Sequence, residues 1–139
     1  MSQVFDLCRR LFDCHFPCSS DFHCDDISTN DRSPDTKSYA LWVRDVVEAD
    51  KNLAILSARD LTRRQVSGIT FLERLLLEVT YFTETQQHLD VDVTATLCTG
   101  SRYPDGFVPT VRWDRTRLTT FWCHSDQAMP HVRAREVLV

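Results

Sequence analysis

An α+β fold, with N-terminal helices packed on one face of a three- to four-stranded antiparallel meander sheet, is the architecture this sequence predicts. Three observations lead there. Apolar residues recur at helical spacing up to about residue 87, they alternate with period two from Val91 onward, and the helical segments precede the strands instead of interleaving with them. The chain's 139 residues, 42% hydrophobic and 26% charged, have an ordinary globular composition and enough length to bury a core without disulfide or metal staples.

Residues 4–12 set Val4, Phe5, Leu7, Cys8, Leu11 and Phe12 at helical spacing, a short amphipathic helix that Pro17 would end. From Ser19 to Ser38 the composition turns to Asp, Ser, Thr and Asn with Pro34, the mark of a polar linker. The expected organisation is an N-terminal extension over 1–37, short helix plus linker, followed by a single α+β domain over 38–139. Within that domain "SYALWVRDVVEADKN" opens with an N-cap at Ser38 and repeats apolar residues at Leu41, Trp42, Val43, Val46 and Val47, which predicts a core-facing helix. "LSARDLTRR" predicts a shorter one capped by Ser57. Thr70 and Glu73 then stand at capping-box spacing ahead of Phe71, Leu72, Leu75, Leu76, Val79 and Phe82, which predicts the longest helix, running to about Gln87. His88 with Asp90 would cap its C-terminal end.

Strand periodicity follows. Val91, Val93, Ala95 and Leu97 alternate with Asp92, Thr94, Thr96 and Cys98, predicting a half-buried strand with a polar outer face. "FVPTVRW" and "RLTTFWCH", joined by the turn "DRTR", predict two more strands, and "HVRAREVLV" a fourth at the edge. Between the first two lies "YPDG", whose proline, aspartate and glycine suit the successive places of a β-turn. Gly100 reads as a bulge or a close backbone approach.

Charge and composition exclude several function classes. No apolar run is long enough to span a membrane, and the start of the chain lacks a secretory leader, so a cytoplasmic protein with reduced thiols is expected. A net charge of −4 argues against nucleic acid, which needs a broad positive face. Residues 101–139 nevertheless carry six arginines and no lysine. Guanidinium forks there suit a small anionic ligand, since they grip phosphate or carboxylate bidentately, although with fourteen arginines to two lysines in the whole chain codon bias explains the preference at least as well.

The stretch "TLCTGSRYPDGFVPTVRW" concentrates the candidate site residues Cys98, Arg102, Tyr103, Asp105 and Arg112, with Trp122 and His124 on the next strand. Whether Trp122 and His124 share a face with Arg112 depends on the length of the "DRTR" loop, because a one-residue slip inverts a strand. Three functions are compatible with these residues. The leading one is a noncatalytic binding or protein-interaction module using the sheet face and the 99–106 loop, with homodimerisation through an open sheet edge and with no cofactor or metal. The first alternative is a small cysteine-dependent enzyme in which Cys98 is nucleophile, His124 base and Arg102 or Arg112 the anion holder. Only three residues separate Cys98 from Arg102, too few for a cysteine-phosphatase cradle. The other alternative is a zinc-stabilised interaction module built from Cys8, Cys14, Cys18, His23 and Cys24. Its ligands are dense, but the second closely spaced cysteine pair of a structural zinc site is missing.

Overall fold

A computed structural model describes residues 2–16 and 26–139 of the chain. Among them are helices α1 (Ser2–Leu11), α2 (Ala58–Arg63) and α3 (Phe71–Thr85) and a 3-10 turn at Lys51–Leu53. The strands are β1 (Cys14–His15), β2 (Thr29–Asn30), β3 (Ala95–Leu97), β4 (Ser101–Arg102), β5 (Val108–Asp114), β6 (Arg117–Cys123) and β7 (Val132–Ala134). The expected mixture of helix and sheet is present. Its sheet is larger than a meander: five strands in the order β1-β6-β5-β3-β7, with a separate two-stranded pair, β2-β4. Antiparallel pairing joins β3, β5 and β6, whereas both edge strands, β1 and β7, run parallel to their neighbours.

Local chemistry accounts for the elements that formed where expected. Ser57 and Thr70 each accept a hydrogen bond from the backbone N–H three residues on, and Asp60 and Glu73 return one, completing two capping boxes. Gln86 ends α3 in the left-handed conformation. The turn at 103–106 closes with Gly106 N–H donating to Tyr103 O at 2.9 Å, and Gly106 takes φ of 88°, a region glycine enters without strain. Asp114 pairs with Arg117 across a two-residue hairpin loop, in which Arg115 has a positive φ.

Helices cover both faces of the sheet rather than one. On the first, Leu53, Ala58 and Leu61 pack with Ala95, Leu97, Val108 and Cys123. On the second, Phe5, Cys8 and Phe12 of α1 and Phe71 and Leu75 of α3 pack with Val111 and Leu118. Each large side chain buried this way contributes about 1.5–3 kcal/mol of hydrophobic stabilisation. The N-terminal helix therefore takes part in the same core as α3. Part of the polar stretch expected as a linker is likewise fastened to the fold: β2 pairs with β4, and the Arg32 guanidinium bonds both carboxylate oxygens of Glu73 at 2.8 Å.

The helix expected over 38–52 does not form. Residues 38–46 are irregular, with Tyr39, Leu41 and Val43 partly buried while Trp42 is 76% exposed and pairs with Leu138 as an isolated bridge. Three valines in five positions weaken helix propensity. The unwound backbone also has a partner: the Arg135 guanidinium donates to the carbonyls of Val46 at 2.9 Å and Val47 at 2.7 Å. The strand expected from Val91 is shorter than its alternation suggested. Residues 92–94 instead wrap the Glu48 carboxylate, which accepts from all three of their backbone N–H groups and holds this acid below the ordinary range against the opposing effect of burial.

Candidate functional site

Thr94 and Thr96, expected on an outer polar face, are buried beneath α3. They belong to an ionic cluster centred on Asp90, a fully buried carboxylate in the left-handed backbone region. Asp90 Oδ2 accepts from Arg74 Nη2 at 2.9 Å and Thr96 Oγ1 at 2.5 Å, and Oδ1 accepts from Arg135 Nη2 at 2.8 Å. Arg74 Nη1 also meets Glu78 Oε2 at 2.8 Å, and Glu78 Oε1 lies 2.8 Å from His88 Nδ1. His88 stacks flat on Trp113, ring centroids 3.4 Å apart. The expected helix cap of His88 with Asp90 is thus replaced by a buried network of two cations and two carboxylates. Burial by itself would raise the Asp90 pKa, but Arg74 and Arg135 outweigh it and hold it below the usual carboxylate range. With its groups mutually satisfied and sealed from solvent, the cluster is structural.

The register of the β5–β6 hairpin resolves the question left open by the turn. Arg112 pairs with Thr119 and Pro109 with Trp122, so Arg112 projects from the opposite side to Trp122 and, by alternation, His124. Arginine, tryptophan and histidine do not converge. His124 is exposed, its ring 3.7 Å from Asp126 Oδ2 and edge-on to Phe107. Cys98 is fully buried, its Sγ 3.8 Å from Thr96 O, and burial pushes its thiol far up. The pair that the cysteine-enzyme alternative requires is not assembled. Tyr103 is buried, and Asp105 Oδ1 accepts from Phe107 N–H within the turn.

For the zinc alternative, Cys18, His23 and Cys24 lie outside the described residues. Cys8 is buried and Cys14 half-buried, and burial pushes their thiols up to about 12 and about 11. Among the described residues no group of three metal-binding side chains converges.

One expected site residue does border a cleft. Arg102, half-buried at the end of β4, lines a space of about 520 Å³ between the 99–102 loop and the C-terminal end of α2. Its Nη1 donates to Thr99 O at 2.5 Å and Ser101 O at 2.8 Å, which fixes the guanidinium plane, while Nε and Nη2 make no hydrogen bond among the described residues. Burial lowers the pKa of Arg102 and nearby Asp31 opposes it; a guanidinium stays charged under both influences. Thr99, only 8% exposed, also lines the cleft, and its buried Oγ1 has no hydrogen-bond partner among the described residues. Thr62, Gln65 and Ser67 form the facing wall, and Thr29 and Asp31 close one end.

Two glycines create this geometry. A Cβ on Gly68 would overlap Thr99 Oγ1, and one on Gly100 would lie 2.7 Å from Gly68 O and 2.9 Å from Thr70 Cγ2. The loop can therefore press against the entry to α3 only with glycine at both positions, and Gly100 is the close approach its surroundings in the sequence predicted. Thr62, Gln65, Ser67 and Asp31 were not legible as site residues, because they come from two segments, remote in sequence from each other and from Arg102, that only packing unites. Comparison with protein-family models, curated proteins and solved structures gives no match to this chain.

Proposed function

We propose that the chain is a small noncatalytic binding module whose ligand offers an anionic group to Arg102 in the cleft between the 99–102 loop and α2. One observation carries this reading. Two backbone carbonyls clamp one end of the guanidinium, and the Nε–Nη2 edge remains, the edge that grips a carboxylate or phosphate with two parallel hydrogen bonds. Such a fork is already ordered, so little side-chain entropy is lost on binding. Volume and lining agree with the reading: about 520 Å³ lies within the range of small-molecule sites, and half-buried Val66 supplies apolar wall beside the hydroxyls. The sheet faces take no part, being covered on both sides.

The test is thermal unfolding with acetate, sulfate and inorganic phosphate at constant ionic strength, for the native chain and for R102Q. An anion held in the cleft raises the melting temperature of the native protein in a saturable way, and R102Q abolishes that rise. An equal response in both proteins would refute a site at Arg102.

A further inference from the structure

The cleft contains a second fixed charge. Asp31 lines it together with Arg102, and its electrostatic influence reaches the guanidinium, yet the two form no ion pair among the described residues. Neighbouring Arg32 also feels the Asp31 charge but forms no ion pair with it among the described residues, its fork being committed to Glu73, Ser67 Oγ and Gly68 O. The backbone holds Asp31 in position, its N–H donating to Gly100 O at 2.8 Å.

A simple anion seated on Arg102 would meet the like charge of Asp31 within the same cleft, and like charges repel. A ligand carrying a cation as well would replace that repulsion with a second attraction. We infer that the cleft's ligand is a small zwitterion of the free amino-acid type, its carboxylate on the Nε–Nη2 edge of Arg102 and its ammonium group on Asp31. This rests on the proposed binding role of the cleft and specifies the ligand class. Half-buried Val66 leaves apolar wall for the ligand's side chain.

Binding of the common free amino acids and of their N-acetyl derivatives, measured by thermal shift and then calorimetry on the native chain, D31N and R102Q, tests the assignment. Asp31 is exposed, so D31N leaves the fold intact, which circular dichroism verifies. At least one free amino acid should bind the native chain. Blocking its amine by acetylation, or removing the Asp31 charge, should each weaken it about tenfold, the usual effect of losing one charge-assisted hydrogen bond. In D31N, acetate and phosphate should bind more tightly than in the native chain. If N-acetyl forms or inorganic anions bind the native protein as well as free amino acids do, and R102Q abolishes them, the zwitterion assignment falls while the binding role of Arg102 stands. If neither zwitterions nor anions bind, both fall together.

Discussion

Replacing Asp90 by asparagine isolates the charge that the ionic cluster depends on. Asparagine matches aspartate in shape and tolerates the left-handed backbone that residue 90 adopts, so D90N adds neither a cavity nor backbone strain. In the native cluster Arg74 and Arg135 balance Asp90 and Glu78, and the substitution leaves one buried positive charge uncompensated. It also turns an NH2 donor toward arginine donors. Removing one member of a buried ion pair costs about 3–5 kcal/mol. That is a large share of the 5–15 kcal/mol of total stability typical of a domain. Urea unfolding followed by tryptophan fluorescence and circular dichroism measures the loss, with R59A as a comparison. Arg59 and its partner Asp126 are both about half-exposed, so removal of this pair should cost much less. The acid limb gives an independent reading. Because the folded Asp90 pKa is depressed, its contribution is present above the unfolded carboxylate value of about 4 and is lost as pH falls through the lower folded value. Stability of the native chain should therefore decline below about pH 4, and D90N should show a shallower decline. A loss under about 1 kcal/mol with an unchanged m-value, or an identical acid limb, would refute the electrostatic account.

Two further outcomes follow from packing. Alkylation at neutral pH, mapped by mass spectrometry, should leave Cys8, Cys98 and Cys123 unmodified in the folded chain and label them after unfolding, since all three are buried with thiols pushed up. Rapid native labelling of Cys98 would reopen the cysteine-enzyme alternative. G100A should destabilise by about 1–3 kcal/mol, because its Cβ would meet Gly68 O and the Thr70 backbone, and should weaken any ligand of the cleft as well. Wild-type stability in the G100A variant would show that the 67–70 and 98–101 segments are less closely held than described.

Segments whose structure is governed by near neighbours could be read from the sequence. The capping boxes at Ser57 and Thr70 need only residues three apart, the Tyr103–Gly106 turn needs four consecutive residues, and the β5–β6 hairpin follows from alternation on both sides of a short loop. Arg102 was legible as a candidate for the same reason, since it lies in a loop rich in turn signals. What the tertiary structure alone decided was how distant segments meet. The apolar residues of 38–47 fit a helix by spacing, but the Arg135 side chain, far along the chain, captures the carbonyls of Val46 and Val47 and favours a non-helical backbone. Thr94 and Thr96 alternate like solvent-facing residues, yet they are buried with Asp90, Arg74 and Arg135 because polar groups can enter a core when other polar groups satisfy them there. Periodicity records which residues lie on one face of an element and carries no information on what covers that face. Long-range pairing supplies it, and here it converts an expected open sheet into a covered one and brings together the distant segments that line the cleft beside Arg102.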